Sequence, residues 1–142
     1  MISRELAAEL APHLSWTPRN GDQFFIPQPE ISESVFTISD MVVELIQKNG
    51  QSRFHFNGTT EWALDSVESA DVVWLPREEQ LREMLLPHFL SLDFTGEGFV
   101  VTVSGPRQAF HTRAEQEACD AYARALLYVL SGSERQLSRT AG

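Results

Sequence analysis

Two strand-like runs meet at Asn49-Gly50, and this junction constrains the fold more than any other feature of the chain. Met41 to Lys48 reads MVVELIQK, and Arg53 to Phe56 reads RFHF. Asn-Gly supplies the two positive-φ positions of a tight hairpin turn whose twist matches that of the flanking strands. In the second arm Phe54 and Phe56 fall on one side and Arg53 and His55 on the other, so one face packs and one is solvated. MVVELIQK also satisfies a helical period. The β-branched Val42, Val43 and Ile46, together with Asn-Gly, decide for strand. Val35 to Ser39 (VFTIS) extends the first arm upstream, with Asp40 as a bulge or corner.

The rest of the chain alternates short strands with amphipathic helices. Ser3 is a helix cap, and Leu6, Leu10 and Leu14 recur every fourth residue beyond it, with Pro12 ending or kinking the helix. Gln23 to Pro27 (QFFIP) reads as a strand. Thr59 or Thr60 caps a helix carrying Trp62, Leu64 and Val67. Val72 to Leu75 (VVWL) is a buried-strand run closed by Pro76. Leu81, Met84 and Leu85 form the inner face of the next helix, which Pro87 stops. Thr95-Gly96-Glu97-Gly98 is a hairpin turn ahead of Phe99 to Val103 (FVVTV). Thr112 and Glu115 have capping-box spacing. The apolar stripe beyond them, Ala118 to Leu130, reads as a helix ending at Gly132.

These elements predict an α+β fold, a single domain over residues 1–132 with a polar, disordered tail at 133–142. One mainly antiparallel sheet is expected from regions 23–27, 35–48, 53–57, 72–75 and 99–103. Helices 3–11, 60–68, 77–86 and 112–131 are expected to pack against it.

With 142 residues and 42% hydrophobic content, one domain can bury a core without staples. The net charge of −9 works against nucleic-acid binding, where phosphates demand clustered Lys and Arg. Cys119 is the lone cysteine, so no internal disulfide forms. The N-terminal stretch has no apolar signal core, and no apolar run reaches membrane-spanning length. Cytoplasmic localisation with no membrane partner is the expectation.

The usual chemical signatures are missing from the sequence. There is no phosphate-binding G-x-x-x-x-G-K-[ST], no G-x-G-x-x-G after a strand and no G-x-S-x-G elbow. The Arg77–Glu83 run fails the Nudix pattern, because Ser69 or Trp74 stands where a Glu is required. His13, His55, His88 and His111 are dispersed, and Cys119 lies on a helix's apolar stripe. No catalytic residue, metal ligand or cofactor is assigned. Two weaker groupings remain. Trp62 and Trp74 form either a ligand shelf or core anchors. Asp40, Glu61, Asp65 and Asp71 flank the ends of the expected hairpin and central helix. They are either a cation or basic-partner site or an acidic solvated rim.

The phrases VFTISDM, FNGTTEWALDSV, WLPREEQLREML and DAYARALLYVL resemble a family of short actinobacterial proteins that usually carry the label "pilus assembly protein CpaE". The resemblance spans roughly Asp22 to Leu130. That family has no established activity or functional residues, so none carries over. The pilus-assembly ATPase of the same label is similar to MinD/ParA proteins and needs a deviant Walker A loop. This sequence has no such loop, so the resemblance implies the small family rather than the ATPase. Three functions follow as expectations: a non-enzymatic interaction or adaptor domain with a protein partner, among them a second copy of itself; a small-ligand module at Trp62/Trp74; and a cation-dependent enzyme using the carboxylates.

Overall fold

The computed structural model describes residues 1–39, 43–48, 51–56 and 66–140, with side chains over 1–39 and 70–132. In chain order the elements are α1 (Arg4–Leu10), β1 (Gln23–Phe25), β2 (Phe36–Thr37), β3 (Val43–Lys48), β4 (Gln51–Phe56) and β5 (Ser66–Glu68). They continue with β6 (Val73–Leu75), α2 (Glu78–Leu85), β7 (Phe89–Thr95), β8 (Gly98–Val103), β9 (Phe110–His111) and α3 (Ala118–Thr140). The class is α+β, and every strand pairing among the described residues is antiparallel. Among the described residues the expected single sheet is instead three sheets of three strands, ordered β2-β1-β6, β3-β4-β5 and β7-β8-β9. Short strands bounded by Pro27, Pro76 and Pro87 limit how far any one sheet spreads. The backbone clusters into two compact units, Met1–Leu14 with Arg77–Gly142, and Ser15–Pro76.

In the first unit, helices cover a sheet. The Ser3 hydroxyl accepts from the Leu6 N–H at 3.3 Å and caps α1, as expected. The Ser3 N–H donates to Asp120 Oδ1 at 2.8 Å, fastening the start of α1 to α3. Leu6, Ala7 and Leu10 are the buried face of α1. Pro12 lies in a single 3₁₀ turn at Ala11–His13, where the helix stops. Pro76 stands just before the cap Arg77 of α2, whose N–H donates to Gln80 Oε1 at 2.9 Å. Leu81 and Leu85 are fully buried and α2 packs on α3. Ala121, Ala123 and Ala125 are buried around Tyr122 and Leu126. Such small side chains let neighbouring backbones approach closely. α3 lies over β8, whose Val101 and Val103 are completely enclosed.

The start and end of α3 correct the sequence expectation. Thr112 and Glu115 do not cap it. The Thr112 N–H donates to the Val101 carbonyl at 3.0 Å, and its hydroxyl accepts from the Val101 N–H at 3.0 Å. Glu115 exchanges backbone bonds with Phe99 at 2.7 and 2.9 Å. Pairing along β8 thus displaces the local cap, and the helix begins at Ala118. Gly98, at φ 144°, makes this approach possible, because a Cβ there would meet the Glu115 carbonyl oxygen at 2.5 Å. Gly132 does not end the helix, which runs to Thr140 through residues expected as a tail.

In the second unit, β1 pairs with β2 and β6 around Phe24, Ile26, Ile38 and Val72, with Trp16, Ile31 and Phe36 packed against them. Asn20-Gly21 is a turn, with Gly21 at φ 91°. The expected hairpin is present as β3 paired with β4 from Val43↔Phe56 to Lys48↔Gln51, the register a two-residue connection requires. Asn49-Gly50 itself lies outside the described residues. The helix expected over 60–68 is corrected at its end: Ser66–Glu68 is strand β5, paired with β4 so that Val67 stands opposite Phe54. The remainder of that region, 60–65, is outside the described residues. A free edge on β4 offers backbone partners that override the weak helical period of so short a segment.

Candidate interaction edge

β7 is seven residues long and ends its sheet; among the described residues its one paired neighbour is β8. The bonds that β8 makes on its other side fix which backbone groups of β7 point outward. Val101 uses its N–H and carbonyl toward Thr112, and Phe99 uses both toward Glu115, on the side away from β7. In an antiparallel ladder the residue opposite a strand position bonded elsewhere is itself turned away. Leu92 stands opposite Val101 and Phe94 opposite Phe99. The N–H and carbonyl groups of Leu92 and Phe94 therefore face the free edge.

The side chains add an apolar strip to this edge. Residues directly opposite share a face, so Leu92 and Phe94 lie on the same face as Phe99 and Val101. The helix cover encloses Val101 and thins toward β7. Phe94 is 72% exposed, although its ring meets Phe99 edge-on at 5.1 Å. Leu90 stands at the register shift between Phe89 and Ser91 and is 58% exposed. Leu86, just past α2, is 61% exposed. Along β7 the one charged residue is Asp93, and the strand carries no Lys, Arg or Pro of the kind that blunts sheet edges. The sequence contained this signal as FLSLDF. Its partial alternation concealed which apolar residues the helices would leave uncovered.

The residues singled out from sequence converge less. Trp74, on β6, stacks on Trp16 with ring centroids 5.7 Å apart and planes 4° from parallel. Its indole Nε1 is buried without a hydrogen-bond partner among the described residues. Trp16 was not singled out from sequence, yet its Nε1 donates to the buried Asp22 at 3.0 Å, and Asp22 also accepts the Arg19 N–H at 3.1 Å. Asp71 is exposed on a 3₁₀ turn at Ser69–Asp71. Trp62, Asp40, Glu61 and Asp65 lie outside the described residues. Among the described residues no three His, Cys, Asp or Glu side chains gather as metal ligands. Cys119 is buried, and burial pushes its thiol pKa up, which suits packing rather than nucleophilic attack.

Two further features complete the first unit. Burial pushes the Glu115 carboxyl up, but hydrogen bonds from Arg113 and Arg124 outweigh it and leave the group below its usual range. A cleft of about 450 Å³ is lined by His88, Ser104, Gly105, Pro106, Tyr128, Val129 and Gly132, beside the stacked Phe110–Tyr128 rings at 3.7 Å. Among the described residues no helix is long and apolar enough to cross a membrane. No family model, curated protein or solved structure matches the chain.

Proposed function

We propose that this chain is a non-enzymatic interaction domain that offers the free edge of β7 to a protein partner. The observation that carries the reading is the edge itself. Backbone groups of Leu92 and Phe94, unpaired among the described residues, border exposed Leu90 and Phe94 on a strand with one charge. Such an edge is a template for strand addition, where main-chain bonds give affinity and alternate side chains give selectivity. We place the domain in the cytoplasm, because its lone cysteine forms no internal disulfide and suits a reducing compartment. A link to pilus assembly rests on the family resemblance alone.

The test is a photo-crosslinking amino acid at position 94 in the full chain, expressed in cells, with exposed Arg107 as the control position. A discrete crosslinked polypeptide from position 94 and none from position 107 supports the reading. No adduct from position 94, or equal adducts from both positions, removes it.

A second reading, a small-ligand module, draws on the buried Trp74 Nε1, which has no partner among the described residues. A buried donor without a partner costs about 1–3 kcal/mol, which a ligand acceptor would recover. Native mass spectrometry of the purified chain and of Trp74→Phe is its test. A small molecule retained by the first and lost from the second supports it. No bound mass on either contradicts it.

A further inference from the structure

We infer that the occupant of the β7 edge is a second copy of this chain, paired antiparallel about Leu92 to form a continuous six-stranded sheet. This rests on the reading of β7 as an interaction edge and names its partner.

Symmetry narrows the choice of register. A two-fold axis perpendicular to the sheet keeps every side chain on its own face, while directly opposed residues must share a face. The axis must therefore pass through a residue of β7 and not between two. Three centres keep most of the strand paired: Ser91, Leu92 and Asp93.

Centring on Asp93 places two like charges directly opposite, which is destabilising. Centring on Ser91 carries the pairing across the register shift, where Phe89 and Asp93 lie on opposite faces, and sets Phe94 against His88 beyond the strand. Centring on Leu92 opposes Leu92 with itself and Ser91 with Asp93, and brings Leu90, at the register shift, beside Phe94. The two most exposed apolar side chains of the strand are then brought next to each other twice. The charge is complemented as well, because a serine hydroxyl stands across from each carboxylate. The same chemistry already occurs within the strand, where Ser91 Oγ donates to Asp93 Oδ2 at 2.8 Å. The backbone agrees with this choice. Leu92 and Phe94 turn their N–H and carbonyl groups to the free edge, so the Leu92–Leu92 pair is a hydrogen-bonded one.

The experiment is light scattering coupled to size exclusion on the full chain, from low-micromolar to submillimolar loading, repeated with Phe94→Lys. A concentration-dependent dimer is expected, with the dissociation constant raised at least tenfold in Phe94→Lys, about 1.4 kcal/mol. Leu92→Cys supplies the register test. Paired about Leu92, the two Cα atoms lie about 5.5 Å apart, within disulfide reach. Mild oxidation should give a covalent dimer of Leu92→Cys but not of Ser91→Cys, while the native Cys119 is buried. A monomer at every concentration overturns the inference, as does a dimer indifferent to Phe94→Lys, or crosslinking through Ser91→Cys instead. If the chain stays monomeric but position 94 crosslinks a different polypeptide, the interaction reading stands and the second copy is excluded.

Discussion

The sheets β7-β8-β9 and β2-β1-β6 are the same size and both antiparallel, but they are covered differently. The first is covered by α3, which carries a row of buried small residues and packs on β8, where Val101 and Val103 are enclosed. The second is packed by rings. Trp16 lies 6.3 Å from Phe24 and 5.7 Å from Trp74, and Phe24 lies 5.5 Å from Phe36. A helix has a fixed width, so it seals the central strand and leaves the outer one open. Rings that come from the strands and an adjoining loop cover the strands that carry them. The first arrangement leaves an apolar edge at Leu90 and Phe94; the second turns its polar demands inward, onto Asp22.

The largest expected effect tests the helix cover. Tyr122 is almost fully enclosed and its ring lies 5.9 Å from Phe89. Tyr122→Ala should cost about 3–5 kcal/mol in urea unfolding, as other large-to-small core changes do. A loss under about 1 kcal/mol would mean that α3 is not the cover of this sheet.

The ring-packed sheet can be probed with two indoles that share one stack. Trp16 Nε1 has a buried carboxylate partner, and Trp74 Nε1 has none among the described residues. Trp16→Phe should therefore destabilise more than Trp74→Phe by about 1–3 kcal/mol, the ring-volume loss being common to both. Equal costs would show that stacking alone holds this region. Smaller still is the gain from Gly132→Ala. A Cβ there meets nothing within 4 Å, and the helix continues past it. The substitution should raise stability by about 0.5–1 kcal/mol. A loss would mean that α3 does not run through this residue.

The smallest effect is electrostatic. The Glu115 pKa is depressed in the folded chain, so its contribution is present above the ordinary carboxylate range and is lost as pH falls through the folded value. Acid unfolding of Glu115→Gln should accordingly show a shallower loss of stability below about pH 4.5 than the parent chain. Identical slopes would remove Arg113 and Arg124 as the cause.

What was legible in the sequence follows the same division. α1, α2, the β3–β4 pairing and β8 were readable because a period, a cap or a turn pair specifies each locally. The opening of α3 was misread. T-x-x-E at Thr112 is a sound local cap, but Val101 and Phe99 offered those backbone groups better partners from a distance. β5 was misread for the same reason, since its pairing with β4 is invisible to a local period. Trp16 carried no local sign that it would stack on Trp74, fifty-eight residues away in the chain. The β7 edge was half legible. Its apolar residues are in the sequence, but which of them stay uncovered depends on how far α3 reaches.

Backbone amide hydrogen exchange at Leu92 and Phe94, followed by NMR across a range of protein concentrations, tests the central claim most directly. The two amides face outward from β7, and the account predicts slow exchange at high concentration that becomes fast on dilution, while Val101 stays protected throughout. Fast exchange at Leu92 and Phe94 at every concentration, with Val101 protected, would contradict self-pairing along this edge.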